Sequence, residues 1–139
     1  MKNIIESKQF KTIGQGLYEI TNDVQHWISK KGCNKGQFNL FIQHTSASLI
    51  VMENASPEVL NDIETYFKKN IPEDSSLYQH SYEGNDDMPA HLKNMLTQTS
   101  LTIPIDEGKL LLGTWQGIFL YEHRYKQHLR KIIFSFLGE

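Results

Sequence analysis

Gln37-Phe38-Asn39-Leu40-Phe41-Ile42-Gln43-His44-Thr45-Ser46-Ala47-Ser48-Leu49-Ile50-Val51-Met52-Glu53 is the stretch that decides the fold class. Over residues 37–44 the pattern alternates. Phe38, Leu40, Ile42 and His44 share one face, and Gln37, Asn39 and Gln43 share the other, as in a half-buried strand. Residues 48–53 are more uniformly apolar and form a second strand. Ser56-Pro57-Glu58 then opens a helix, with serine as N-cap, proline in the first turn and an acid beside it. Its apolar stripe is Val59, Leu60, Ile63, Tyr66 and Phe67.

Working outward, residues 3–11 and 16–20 read as short strands separated by Gly14-Gln15-Gly16. A helix follows from Asn22, with lysines at its end and Gly32 just beyond. Residues 70–87 form a long irregular segment, of the kind that is often functional in a compact domain. A short helix runs from Pro89 to about Thr97, capped by Asp86 or Asp87. Strands at 100–105 and 109–123 join at Asp106-Glu107-Gly108, and a last strand covers 129–137. Strands and helices do not alternate regularly, which disfavours a doubly wound α/β fold. The expectation is α+β: antiparallel meandering sheets forming a sandwich-like core with two or three packed helices, in a single domain over 1–139.

Composition excludes several function classes. Lys plus Arg is 14 and Asp plus Glu is 16, a net charge of −2. That balance argues against an electrostatic nucleic-acid binder and against a polybasic membrane anchor. The single cysteine, Cys33, excludes an internal disulfide and a cysteine-cluster zinc site, and reads as structural. Glu6 and Lys8 interrupt the N-terminus before any signal-length apolar run, and no stretch has the length of a membrane span. A soluble, cytoplasmic protein is expected.

The chemical content lies in five places. His44-Thr45-Ser46-Ala47-Ser48 sets hydroxyls beside a histidine that could ligate a metal, or could simply end a buried face. Glu53 closes the next strand, at a position that nothing in the sequence brings to His44 within one subunit, although a site shared between subunits could do so. The segment 78–91 gathers His80, Glu83, Asp86, Asp87 and His91 with two tyrosines, a mixture that suits Zn²⁺, Mn²⁺ or Fe²⁺. Gly113-Thr114-Trp115-Gln116-Gly117 places two glycines in an expected strand, a sign of close backbone approach to a ligand or of room made for Trp115. Glu122-His123-Arg124 ends that strand with a group able to bind phosphate or carboxylate bidentately. His26 and His128 read as surface residues.

Taken in order, His44-Thr45-Ser46-Ala47-Ser48, Glu53-Asn54-Ala55, His80-x-Tyr82-Glu83-Gly84-x-Asp86-Asp87-Met88-Pro89-Ala90-His91, Ser100-Leu101-Thr102-Ile103-Pro104-Ile105 and Leu112-Gly113-Thr114-Trp115-Gln116-Gly117-Ile118 closely resemble the YjbQ family, also called the secondary thiamine-phosphate synthase family. The resemblance runs from about residue 8 to the C-terminus. It implies a small α+β homotrimer with a metal near the histidines. It also implies a weak activity that joins a pyrimidine diphosphate to a thiazole phosphate and releases pyrophosphate. His44, His80 and His91 match the family's histidines and are the implied metal ligands. Glu53, Asp86 and Asp87 match its acidic positions, and Trp115, Gln116 and Glu122-His123-Arg124 resemble its bacterial members. Met52 departs from an expected asparagine, and Tyr121 stands where many relatives carry a small residue.

The expected chemistry is that of a metal-dependent enzyme acting on a phosphorylated small molecule. A divalent ion on His44, His80 and His91 would neutralise a leaving pyrophosphate. Histidine ligands favour zinc over magnesium, although a diphosphate reaction makes magnesium possible. Arg124, Lys93 and the hydroxyls of Thr45, Ser46 and Ser48 are candidates for the remaining oxygens, Trp115 and Gln116 for substrate contact, and Glu53 or Asp87 for a general base. The rivals are a metal-dependent hydrolase and a non-enzymatic trimeric binder of metal or small ligand.

Overall fold

The computed structural model describes residues 1–139 as two antiparallel sheets and three α-helices. The element order is β1 (Lys2–Thr12), β2 (Gly16–Glu19), α1 (Thr21–Lys31), β3 (Gly36–Ile42), β4 (Ala47–Glu53), α2 (Pro57–Asn70), a 3₁₀ turn (Ser75–Leu77), α3 (Asp87–Leu96), β5 (Ser100–Asp106), β6 (Lys109–Leu110), β7 (Gln116–Glu122) and β8 (His128–Gly138). One sheet has the order β1-β8-β3-β5-β6, the other β2-β7-β4. The α+β expectation is met.

The two strands of the opening stretch lie in different sheets. β3 is covered on one face only. Phe38, Leu40 and Ile42 are buried there, and they pack with Ile132, Phe134 and Phe136 of β8 and with Trp27 of α1. β4 is covered on both faces. Leu49 turns into the inter-sheet core with Ile118 and Leu120 of β7, while Ile50 turns outward with Phe119 and Tyr121 against Phe67 of α2 and Ile71 just beyond its end. Coverage on both sides accounts for the unbroken apolar run of β4, against the alternation of β3. The layers are thus the large sheet, the main core, the small sheet, a second apolar layer, and α2.

Three local expectations are corrected. Residues 109–123 are not one strand: the chain leaves the large sheet after β6 and joins the small sheet at β7, so Gly113, Thr114 and Trp115 lie in the connection between sheets. Asn22 does not cap α1, which begins at Thr21 without a side-chain cap. The Thr21 hydroxyl accepts from the Ile118 N–H at 2.9 Å instead, tying α1 to β7. Neither Asp86 nor Asp87 caps α3 through its side chain; both are engaged elsewhere.

The large sheet is locked at one end by a glycine pair. Gly36 and Gly138 face each other across β3 and β8 at φ +156° and +158°. A Cβ on Gly36 would stand 2.3 Å from the Leu137 carbonyl oxygen, so a side chain cannot enter without moving backbone. No helix is long and apolar enough to cross a membrane.

Candidate functional site

α3 presents Asp87, His91 and Asn94 along one face, the i, i+4, i+7 spacing of a helix. That face docks on the crossover between β3 and β4. The amide nitrogen of Asn94 donates to the carbonyls of Ala47 at 2.6 Å and His44 at 3.3 Å. His91 Nδ1 lies 2.8 Å from the Thr45 carbonyl oxygen. A carbonyl only accepts, so Nδ1 carries the proton and the Nε2 lone pair is left free. Nε2 turns toward Asp87 Oδ2, 3.4 Å away.

The irregular segment brings His80 to the same carboxylate. His80 Nε2 lies 2.5 Å from Asp87 Oδ2, and its ring sits 5.5 Å from that of His91, centroid to centroid. His80, Asp87 and His91 each offer one donor atom, and these atoms lie within 4.8 Å of one another. Two donors on a tetrahedral zinc stand about 3.3 Å apart, close to the His91–Asp87 separation. The three residues fit a divalent ion bound by two imidazoles and a carboxylate. Helical spacing places Asp87 and His91 together, but only the fold brings His80 to them.

Arg124 holds the arrangement from behind. Its Nη1 donates to Asp87 Oδ1 at 2.6 Å, its Nε to Asp86 Oδ2 at 3.0 Å, and its Nη2 to the Glu83 carbonyl at 2.9 Å. Asp86 Oδ2 also accepts from the Tyr125 N–H at 2.9 Å. Gly84, at φ +111°, lets the loop turn tightly enough for these contacts. Burial opposes ionisation of Asp87, but the His80 hydrogen bond and the Arg124 charge outweigh it and hold the carboxyl below its usual range. Three of the five Arg124 N–H groups are engaged in this way, and two are left for a ligand.

His44 stands outside the cluster in the single chain. The Lys131 N–H donates to its Nε2 at 2.8 Å, which occupies the one lone pair of a neutral ring. Burial first, and then the nearby Arg130, lower its pKa and keep it neutral. Thr45 is exposed beside His91. The hydroxyl and carbonyl of Ser46 accept from Arg130 Nη2. Ser48 is fully buried, with its hydroxyl 2.9 Å from His123 Nε2 and 2.5 Å from the Thr97 hydroxyl. His123 is buried too, its Nδ1 has no partner, and desolvation followed by the charges of Lys93 and Arg130 lowers its pKa to about 3.

Glu53, Trp115 and Gln116 lie elsewhere. Glu53 pairs with Gln116 at one end of β4, while Ala47 pairs with Glu122 at the other. Six residues of strand at about 3.3 Å each put roughly 20 Å between those ends. Within one chain, Glu53, Trp115 and Gln116 therefore do not meet the His80–Asp87–His91 cluster. One Glu53 carboxylate oxygen is buried without a partner, and Trp115 is 62% exposed.

The sequence reading missed Arg130 and Asn94. Arg130 is buried against Glu122, donating from Nε to Oε1 at 2.7 Å and from Nη2 to Oε2, while the Thr12 hydroxyl donates to Oε1 at 2.6 Å. No motif marks that pair. Asn94 could have been found, since it falls on the helical face of Asp87 and His91.

The chain matches the family described as UPF0047 protein YjbQ-like over residues 6–139. It is 48% identical to the UPF0047 protein sll1880 of Synechocystis over 128 residues, covering 92% of this chain and 87% of that one. It is 41% identical to the UPF0047 protein YjbQ of Escherichia coli O157:H7 over 126 residues, covering 90% and 91%. Among solved structures, a YjbQ/UPF0047 protein of Clostridium acetobutylicum superposes with a TM-score of 0.82 at 35% identity, covering 96% of this chain and 99% of that one. A YbjQ-like protein of Sulfolobus solfataricus P2 does so with a TM-score of 0.86 at 27% identity, covering 99% and 100%. The family model spans nearly the whole chain and the relatives match over nine-tenths of it, so the chain belongs to the YjbQ/UPF0047 family.

Proposed function

We propose that the protein is a metal-dependent enzyme acting on a phosphorylated small molecule, with His80, Asp87 and His91 as ligands of a divalent ion. The observation that carries this reading is the convergence of two imidazole nitrogens and a buried carboxylate oxygen within 4.8 Å. The Thr45 carbonyl fixes the His91 tautomer, and Arg124 fixes the Asp87 rotamer. Such outer contacts are what ligating side chains need to hold their orientation.

Bound there, the ion would supply positive charge to oxygens on which negative charge develops. Two nitrogen donors and one oxygen suit zinc, with magnesium the weaker candidate. The chain's own residues do the rest. Arg124 keeps two N–H groups for a phosphate oxygen, Thr45 offers an exposed hydroxyl, and Glu83, 3.4 Å from His80, is a carboxylate at the rim able to take a proton. The reaction proposed is thiamine-phosphate synthesis from a pyrimidine diphosphate and a thiazole phosphate, with release of pyrophosphate. A homotrimer in the cytoplasm is proposed with it, in which Glu53, Trp115 and Gln116 of one subunit would approach the cluster of another.

The test is pyrophosphate release by metal-loaded protein. It should be lost in His80→Ala and kept in His128→Ala, whose Nδ1–H donates to the Lys126 carbonyl, away from the cluster. Turnover of a single phosphate ester without a second substrate would make the enzyme a hydrolase instead. One bound metal per chain with no turnover of any phosphorylated compound would make it a binder. A stable monomer in sedimentation would remove the shared site.

A further inference from the structure

Tyr82 is 82% exposed, more than any other aromatic side chain of the protein. An exposed ring is ordinary in itself; what sets this one apart is its neighbour. The ring lies edge-on to that of His80, with centroids 5.0 Å apart and planes at 68°. Among the aromatic pairs of the chain, it is the one that joins a tyrosine to a histidine of the His80–Asp87–His91 cluster. On the other hand, Tyr125, also exposed, spends its hydroxyl on Glu73.

The backbone that carries Tyr82 is fixed on both sides. Behind it, the His80 ring is held by Asp87 at 2.5 Å. Ahead of it, the carbonyl of Glu83 accepts from Arg124 Nη2 at 2.9 Å. Gly84 turns the chain at φ +111°, and the Asp86 carboxylate then accepts from Arg124 Nε and from the Tyr125 N–H. The same guanidinium that orients Asp87 therefore sets the stretch from which the ring projects. A ring left in water adds little to folding, because it removes little apolar surface from solvent. Packing does not account for a held yet uncovered ring beside the candidate metal ligands.

We propose that Tyr82 is a binding residue that selects substrates carrying a planar aromatic ring. The ring of the substrate stacks on the open face of Tyr82 while its phosphate lies at the cluster and Arg124. The inference rests on the metal and phosphate reading given above and adds to it the residue that reads the rest of the substrate. Aromatic rings attract one another beyond the area they bury when they are offset-stacked or edge-to-face, and a ring already held in place gives up little freedom on binding. Because Tyr82 touches His80 and not the phosphate, it discriminates by the group that bears the phosphate.

The experiment titrates zinc-loaded full-length protein by calorimetry with benzylphosphonate and, separately, propylphosphonate. Neither can be hydrolysed as an ester, so binding is read without turnover. Benzylphosphonate should bind about fivefold more tightly. In Tyr82→Ala that preference should disappear while propylphosphonate binding changes less than twofold. In Tyr82→Phe, which keeps the ring, the preference should remain. Equal binding of the two compounds by the native protein, or a preference that survives in Tyr82→Ala, would overturn the proposal and leave the metal reading standing. Equal weakening of both compounds in Tyr82→Ala would also overturn it, and would make Tyr82 a positioning residue for His80. Binding of neither compound by the native protein would overturn the metal and phosphate reading and this inference with it. Tyr82 is exposed, so neither substitution removes a core contact.

Discussion

Arg124 Nη1 donates to Asp87 Oδ1 at 2.6 Å, and this bond leaves the other carboxylate oxygen of Asp87 turned toward His80 and His91. The guanidinium binds three acceptors in one plane, so the loop, the start of α3 and the end of β7 are set relative to one another by a single side chain. Arg124→Lys keeps the charge but cannot bridge Asp86, Asp87 and the Glu83 carbonyl together. Metal affinity, measured by competition with a chromophoric chelator, should fall about tenfold to a hundredfold. Unchanged affinity would show that Asp87 is oriented by other contacts.

Metal addition should raise the unfolding temperature of chelator-treated protein, because an ion that binds only the folded chain stabilises it by mass action. Zinc should be effective at lower concentration than magnesium. The zinc-induced shift should vanish in His80→Ala and in Asp87→Asn. A full shift in either variant would place the ion elsewhere.

The Glu122–Arg130 pair is buried at 0% and 3% exposure, so removing one partner strands the other charge. Arg130→Met should cost about 3–5 kcal/mol in urea unfolding. The double variant Glu122→Gln, Arg130→Met should recover part of that loss. No recovery would mean that Arg130 acts mainly through its bonds to Ser46.

His123 makes stability depend on pH. Its pKa is about 3 in the folded chain, against an ordinary value of 6.5. Between those values the unfolded chain binds the proton and the folded chain does not, so stability falls as pH drops from about 6.5 and is complete above it. His44 and Glu122, whose pKa values are also lowered, act in the same direction. The diagnostic is therefore a difference. His123→Gln should reduce the slope of unfolding free energy between pH 6 and 4 by up to about 1.4 kcal/mol per pH unit. Parallel curves for the two proteins would show that His123 is protonated in the fold.

Much of the fold was legible because it follows from local pattern. The alternation of β3, the apolar run of β4 and the Ser56-Pro57-Glu58 start of α2 each have the period or end signal of the element they form. The break between β6 and β7 was not legible. Residues 109–123 read as one strand because both pieces are apolar, and only pairing partners distinguish a strand that continues from one that changes sheet. Likewise, nothing in the order of residues says that the Ser48 hydroxyl is spent on His123 and Thr97, or that Lys131 occupies the His44 ring.

The sequence by itself determined the chemical inventory and the family: the histidines, the acids of segment 78–91, the arginine at 124 and the irregular mixture of strand and helix patterns that marks an α+β fold. The tertiary structure decided which of them meet. His80 joins Asp87 and His91 because Arg124, far along the chain, pins the loop and the helix start together, while Glu53 is held at the far end of β4. Side-chain chemistry is a property of each residue, but convergence within a few ångströms is set by long-range pairing and packing, which a linear pattern does not encode one residue at a time.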